Sequence, residues 1–247
     1  MKLLLVNPNI SESVTALIRS EAERAALAQT TLTVLTAPYG VAYIETPAEA
    51  AVGACAALEL LAQHHEGHDA AVIAAFGDPG VGAAKELLPI PVIGLTEAAL
   101  AAAFLMGGRF AIVGISERIG AWYVQAVEQY GMGARLTGYR GLSQGFSSIG
   151  SVREEAAQAL LDLCRTCVEK DGADSIILGG APLAGLARDI ANRVPVPLID
   201  GVGSAVRMAE SLARAQFVAR TAGSLSPPPA KAHQGLHPAL ATLMGRT

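Results

Sequence analysis

The sequence predicts an α/β fold of two similar lobes, each built on a parallel sheet, related by a pseudo-twofold axis with a ligand cleft between them. Two observations support this prediction. Short apolar runs alternate with helical segments along most of the 247 residues, which is typical of parallel sheets covered by helices. The second half of the chain also repeats the order of strands and polar breaks found in the first half.

The first half of the chain predicts four strands separated by helices. The strands are predicted over residues 2–6, 31–37, 70–76 and 91–95. The helices are predicted over residues 12–27, 47–65, 82–88 and 97–106. Ser11 precedes the first helix as a capping residue, and Pro47 stands in the first turn of the second, where a missing N–H is tolerated. Strands at this spacing lie parallel in one sheet with helices on both faces.

The second half repeats this plan at nearly constant spacing. The aligned segments are 109–116 with 2–9, 174–185 with 69–80, and 197–205 with 91–99. Three segments in register indicate an internal duplication and therefore two lobes. We predict that lobe 1 comprises residues 1–97 and a return segment 202–223, that lobe 2 comprises residues 98–201, and that residues 224–247 form a C-terminal tail.

Composition excludes several classes of function. A net charge of −4, with 16% charged residues, leaves no basic surface for nucleic acid. The longest apolar stretch, residues 98–106, is too short to span a bilayer. The polar residues 7–9 end the first apolar run before a signal-peptide core is formed, so we expect a cytoplasmic protein. The apolar segment 238–244 is expected to dock on a neighbouring subunit, which predicts a homo-oligomer.

The sequence predicts no metal site. Cys164 and Cys167 have the spacing of a metal-binding pair, but they lie in a run with helical periodicity and no second pair accompanies them. With Cys55 the count is odd, which argues against a disulfide framework and favours a reducing compartment. No glycine-rich nucleotide motif follows the first strand. The expected partner is a small-molecule substrate.

Four loops are predicted to line the cleft because they follow strands at matched positions of the two lobes. The predicted substrate-binding residues in and beside these loops are Asn9, Ala75, Phe76, Gly77, Ser116, Gly180, Ala181 and Pro182. The side chains of Asn9 and Ser116 are expected to donate or accept hydrogen bonds. The backbone N–H groups of Gly77 and Ala181 are expected to bind carbonyl oxygens. The repeat also predicts that positions 75 and 180 face each other across the ligand.

Several segments together resemble the aspartate/glutamate/hydantoin racemase superfamily, and most of all its hydantoin and allantoin racemases. These segments are NPN, YIET, VIAAFGDPG, PVIGLTEAAL, RFAIVG and PLIDGV, in order from residue 1 to about residue 215. The resemblance implies two Rossmann-like lobes and an isomerase that needs no cofactor. It also implies one cysteine from each lobe, one removing the proton from the substrate's acidic carbon and the other returning a proton.

The chain departs from this pattern at both cysteine positions, which are occupied by Ala75 and Gly180. Neither residue carries a proton, so the two-thiol mechanism is unavailable. If the scaffold still holds an acidic carbon between these positions, restoring a cysteine at both is expected to create racemase activity. Tyr43, Glu45 and Asp78 are the candidates for catalysis in the chain as it stands. Each has a structural alternative, namely packing for Tyr43, a backbone contact for Glu45 and a helix cap for Asp78.

Three functions remain open from the sequence. The first is a racemase or epimerase of a cyclic ureide or amide that works without cysteine. The second is a hydrolase or lyase that acts on a related cyclic amide, since a carboxylate can activate water or remove a proton. The third is a protein that binds a small ligand without chemistry. The sequence favours an enzyme and leaves its exact substrate open.

Overall fold

The computed structural model describes residues 1–143, 145–215 and 222–245. Within them lie eight strands: β1 (Lys2–Asn7), β2 (Thr31–Thr36), β3 (Ala70–Ile73), β4 (Val92–Gly94), β5 (Phe110–Gly114), β6 (Leu136–Gly141), β7 (Ser175–Gly179) and β8 (Leu198–Asp200). They form two separate four-stranded parallel sheets, in the orders β2-β1-β3-β4 and β6-β5-β7-β8. The identical orders confirm the predicted α/β fold with two similar lobes, and we call the parts around these sheets lobe 1 and lobe 2.

The helices follow the predicted alternation. Those described are α1 (Glu12–Ala25), α2 (Pro47–His64), α3 (Val81–Leu87), α4 (Leu95–Met106), α5 (Gly120–Gln129), α6 (Val152–Glu155), α7 (Ala157–Glu169), α8 (Leu186–Ile190), α9 (Gly201–Arg214) and α10 (Pro238–Met244). Ser11 caps α1 by accepting from the Val14 N–H at 3.3 Å. The sequence made no prediction for α5 or β6. Gly138 and Gly141 weaken the strand signal of β6, which lies at the edge of its sheet.

The same backbone contacts recur at matched positions of the two lobes. In lobe 1 the Lys2 N–H donates to Asp69 Oδ2 at 2.7 Å, and the Asp69 N–H donates to the Lys2 carbonyl at 2.8 Å. In lobe 2 the Arg109 N–H donates to Asp174 Oδ2 at 2.8 Å, and the Asp174 N–H returns a bond of 2.9 Å. In each lobe, an aspartate just before one strand is therefore hydrogen-bonded to the backbone at the start of the neighbouring strand.

Strand β1 distributes its side chains to two cores. Leu3 and Leu5 lie in the large apolar cluster shared with lobe 2, whereas Leu4 and Val6 lie in a smaller cluster on the other face of the sheet. All four side chains are fully buried. This is the two-residue alternation of a strand covered on both faces.

Two helices cross between the lobes. Helix α4 follows β4 of lobe 1 but packs against β7 and β8 of lobe 2, while α9 follows β8 and packs against α1 and β3 of lobe 1. The two crossing helices also pack against each other. The domain boundaries themselves stay a prediction, and residues 216–221 of the expected return segment lie outside the described residues.

The end of the tail packs on its own chain. Helix α10 lies against α2, where Leu240 and Leu243 join the smaller core of lobe 1. Docking of this segment on a neighbouring subunit was the expectation, and the structure corrects it because both leucines are already buried within the chain. No helix among the described residues is long and apolar enough to cross a membrane.

We predict that Glu210 contributes strongly to stability, because it joins α9 to the turn after α1. Its Oε1 accepts from the Leu27 N–H at 2.9 Å and from the Thr30 hydroxyl at 2.5 Å, and the residue is buried. Glu210→Ala leaves a backbone N–H unpaired and should lower the free energy of unfolding by about 1–3 kcal/mol. Urea unfolding measures this change.

The matched control for this substitution is Glu23→Ala, on the exposed face of α1. It removes the same side chain without a buried partner, so its effect should stay within about 0.5 kcal/mol. Equal losses for the two variants would contradict the role of Glu210.

Candidate active site

A small cavity lies between the two lobes at the carboxyl ends of their strands. Its volume is about 30 Å³. Lobe 1 contributes Asn9, Tyr43, Ile44, Ala75 and Phe76, and lobe 2 contributes Ile115, Ile119, Tyr123, Gly180, Ala181 and Pro182. The structure thus brings positions 75 and 180 to the same cavity from opposite lobes. Seven of the residues selected from the sequence meet there.

A wider recess adjoins this cavity. It has a volume of about 380 Å³ and shares Tyr43 and Ile115 with the cavity. Its remaining walls are Glu45, Ser116, Glu117, Arg118, Leu142, Ser143, Gly145 and Phe146. The cavity is narrow and mainly apolar, whereas the recess carries two carboxylates and a guanidinium. Tyr43 and Ile115 therefore stand at the boundary between the two spaces.

Gly77 and Ser116 do not line the small cavity. The Gly77 N–H, expected to bind a carbonyl oxygen, donates instead to the Thr96 hydroxyl at 2.6 Å. The Ser116 hydroxyl accepts from the Arg118 N–H at 3.1 Å, so it shapes the wall of the recess. The expected role of Gly77 is therefore wrong, because its donor already has a partner within lobe 1.

Asn9 is oriented by its neighbours. Its Oδ1 accepts from Asn7 Nδ2 at 3.0 Å and from the Ser11 N–H at 2.9 Å. With the oxygen engaged, the Nδ2 group is the donor that Asn9 can offer to the cavity. Ala181 offers a second donor, because it begins a short 3-10 turn, Ala181–Leu183, within which its N–H has no acceptor.

Gly180 has a backbone conformation that other residues rarely adopt, with φ 120° and ψ 137°. A Cβ atom here would lie 3.4 Å from the Tyr123 hydroxyl and 3.5 Å from Pro182 Cδ, so there is room for it. The dihedral angle is the obstacle, since φ in this range strains any L side chain. A cysteine at position 180 would require a different path of the loop, so restoring both thiols is not a simple substitution.

The loop that carries Tyr43 and Glu45 borders both spaces. The Tyr43 ring contacts Phe146 of lobe 2 edge to face, with centroids 6.1 Å apart. Burial raises the pKa of Tyr43, and the Glu45 carboxylate raises it further. The same carboxylate contributes to raising the pKa of Tyr123, which lines the cavity. Glu45 itself lines the recess and not the small cavity.

Asp78 faces away from the cavity. Its carboxyl group accepts from the N–H groups of Thr96 at 2.8 Å and Glu97 at 2.9 Å, at the start of α4, and from the Tyr130 hydroxyl at 2.7 Å. Burial raises its pKa from 3.8 to about 6, although the three hydrogen bonds act in the opposite direction. This geometry contradicts the catalytic role expected for Asp78. It is a helix cap, and the helix is α4 rather than the one that directly follows it.

The cysteines lie outside both spaces. Cys55 is exposed on α2, and Cys164 and Cys167 are buried on α7. Burial raises the pKa of the Cys164 thiol to about 12 and that of Cys167 to about 11. Neither buried thiol is a reactive nucleophile in this setting. Within the described ranges no group of three or more His, Cys, Asp or Glu residues is arranged to hold a metal ion.

Sequence reasoning missed Tyr123, Ile44 and Ile119 of the cavity, whereas Ile115 lies in one of the four loops predicted to line it. Tyr123 and Ile119 belong to α5 and its first turn, for which the sequence made no prediction. The only signal for Tyr123 is the pair of glycines at 179 and 180, which leaves space beside it. A further cavity of about 580 Å³, bordered by α4, α8 and α9, contains no residue of the four matched loops.

Residues 3–209 match the Asp/Glu/Hydantoin racemase family. The matched segment covers most of the chain and includes both sheets and both sides of the cavity. The chain therefore belongs to this family, and its fold and racemase-like character follow from that membership.

Individual relatives agree with this assignment. A hydantoin racemase of Paenarthrobacter aurescens is 33% identical over 233 residues, covering 94% of this chain and 99% of the relative. The structure of allantoin racemase from Klebsiella pneumoniae has a TM-score of 0.92 at 32% identity, covering 97% and 98% of the two chains. That of allantoin racemase from Pseudomonas fluorescens has a TM-score of 0.89 at 28% identity, covering 95% and 100%.

We predict that Asp78 makes stability fall as the pH rises from about 4 to about 6. Its pKa in the folded protein, about 6, lies above the ordinary value of 3.8, so the folded state binds this proton more tightly than the unfolded chain. The stabilisation is fully present below the lower pKa and is lost as the pH passes the higher one. At about 1.4 kcal/mol per pKa unit, the loss is about 3 kcal/mol.

Urea unfolding of the wild type and of Asp78→Asn across this pH range isolates the contribution. As the pH rises from about 4 to about 6, the free energy of unfolding of the wild type should fall by that amount relative to that of Asp78→Asn. Asp162→Asn, at an exposed position on α7, serves as the control and should run parallel to the wild type. Parallel curves for Asp78→Asn would show instead that this carboxyl keeps an ordinary pKa.

Proposed function

We propose that this protein is a cofactor-independent racemase or epimerase that acts on a small cyclic ureide or amide without the two-thiol mechanism. The proposal rests on one observation. Ala75 and Gly180, the positions at which the resemblance implies a thiol from each lobe, line the same cavity. The arrangement for holding an acidic carbon between two lobes is thus kept while both thiols are replaced. The substrate class is taken from the hydantoin and allantoin racemases to which the chain is similar.

Glu45 is the base in this proposal. Its carboxylate takes the proton from the acidic carbon, and the electron pair of the C–H bond moves toward the neighbouring carbonyl oxygen. The Nδ2 group of Asn9 and the N–H of Ala181 are the donors available to that oxygen as it gains charge. Tyr43, whose raised pKa keeps its hydroxyl protonated, is a further donor at the mouth of the cavity.

The decisive experiment incubates the protein with enantiopure hydantoins, allantoin and cyclic dipeptides in deuterated water. Deuterium at the acidic carbon with an intact ring supports the proposal. A new carboxylate would instead indicate ring opening by a hydrolase, and a new double bond would indicate a lyase. Binding without turnover would indicate a protein that binds a small ligand without chemistry. Alkylation of the exposed Cys55 should leave the activity unchanged.

Variants of the loop test which group removes the proton. Glu45→Gln should lower the rate of deuterium exchange by about 100-fold or more, the usual contribution of a general base. Glu128→Gln makes the same charge change at an exposed site on α5 and should keep the wild-type rate. Tyr43→Phe is compared with Tyr39→Phe, an exposed tyrosine that precedes the same loop. Undiminished exchange in Glu45→Gln would exclude this residue as the base.

We also propose that the enzyme is a cytoplasmic homo-oligomer with lobes divided near residues 97, 201 and 223. The division is supported by the helices α4 and α9, which leave one sheet to cover the other. Sedimentation analysis measures the assembly, and a single-chain mass in solution would refute the oligomer. Limited proteolysis tests the boundaries, since cleavage is expected in the tail after residue 223 before any cut within a lobe.

A further inference from the structure

Inversion at a carbon atom needs a proton donor on the face opposite the base. Tyr43 and Glu45 lie two positions apart on one loop of lobe 1, so they approach a substrate from the same side. Among the described residues that line the cavity from lobe 2, the side chains are apolar apart from Tyr123. Tyr123 is therefore the side chain on that wall with a proton to give.

The ring of Tyr123 is held by aromatic neighbours on several sides. Its centroid lies 4.6 Å from that of Phe76, 5.6 Å from that of Trp122 and 5.9 Å from that of Tyr139. The residue is 2% exposed. A ring fixed in this way directs its hydroxyl group to one point of the cavity without a hydrogen bond to hold it.

Gly179 makes room for the Tyr123 ring, and Gly180 lies beside its hydroxyl. A Cβ atom at Gly179 would lie 3.0 Å from Tyr123 Cε2, closer than side chains normally approach. A Cβ atom at Gly180 would lie 3.4 Å from the Tyr123 hydroxyl. The hydroxyl therefore stands next to the place where the resemblance puts the thiol of lobe 2.

The Tyr123 hydroxyl makes no hydrogen bond with any residue that the structure describes, unlike those of its neighbours. The Tyr139 hydroxyl donates to the Ser116 carbonyl at 2.6 Å, and the Tyr130 hydroxyl donates to Asp78 at 2.7 Å. Because Tyr123 lines the cavity, its hydroxyl is open to a bound molecule instead of being paired within the protein. Burial also raises the pKa of Tyr123 well above 10, so the proton is present at neutral pH.

We infer that Tyr123 is the catalytic proton donor of lobe 2, standing in for the missing thiol. This inference rests on the proposed function. Glu45 removes the proton from one face of the acidic carbon, and the C–H electron pair moves onto the carbonyl oxygen. The pair then returns to the carbon as Tyr123 gives its proton to the opposite face, which inverts the centre. The tyrosinate regains a proton from water, and Glu45 releases one to water, so the protons balance.

Deuterium exchange and inversion are then two separate events. When Glu45 exchanges its captured proton with the solvent and returns a deuteron to the same face, the substrate gains deuterium without inversion. When Tyr123 acts, the substrate gains deuterium with inversion. Because burial makes the tyrosinate costly, the second event is the slower one in the wild type.

The experiment follows enantiopure 5-isopropylhydantoin in deuterated water, with an enzyme-free blank. Mass spectrometry measures deuterium, and chiral chromatography measures inversion. Tyr123→Phe keeps the ring and removes only the hydroxyl. It should lower the rate of inversion by about 100-fold or more, while exchange with retention continues near the wild-type rate. Its melting temperature should be no lower than that of the wild type, because no protein hydrogen bond is lost.

Tyr130→Phe is the matched control, since it removes a tyrosine hydroxyl seven residues further along the chain and outside the cavity. It should keep both rates and lose thermal stability with its bond to Asp78. Wild-type inversion in Tyr123→Phe would overturn the inference while leaving the proposed function intact, as would a Tyr123→Phe protein that fails to fold. A wild-type protein without deuterium exchange would overturn both.

Discussion

The whole molecule depends on the exchange of two helices between the lobes. A parallel sheet needs a helical layer on each face, and here α4 and α9 each leave their own sheet to cover the other one. Neither lobe can therefore bury its strands alone. The large apolar core runs through both helices, with Leu95 and Ala99 on α4 and Ala205 and Ala209 on α9. This shared core therefore sets the distance between the loops at the ends of the strands.

The start of α4 shows how closely the cleft is tied to the crossing. Asp78 lies in the loop after β3. Its carboxyl group caps α4 and accepts a hydrogen bond from the Tyr130 hydroxyl of lobe 2. One carboxyl thus joins a cleft loop, a crossing helix and the opposite lobe. Full burial makes its negative charge costly, and three donors offset only part of that cost. A residue that looks catalytic by its position in the loop is structural by its contacts.

The chain keeps the fold of the racemases to which it is similar. The cavity between positions 75 and 180 is lined by neutral donors and apolar side chains. The charged side chains line the adjoining recess, which Glu45 and Tyr43 border from one loop. Holding a substrate and moving its proton are separate tasks in such a fold, so one can persist while the other is reassigned.

The sequence by itself determined the two lobes and the succession of β1, β3, β5 and β7, because these follow from periodicity and repetition along the chain. The replacement of both thiols is implied by the resemblance to the racemases together with the residues at positions 75 and 180. Only the tertiary structure decided that Asp78 turns away from the cavity and that Tyr123 turns into it. Asp78 meets its partners Thr96 and Tyr130 across 18 and 52 positions of the chain. Side-chain direction at such sites is set by neighbours that are remote in the chain, and no local pattern encodes them.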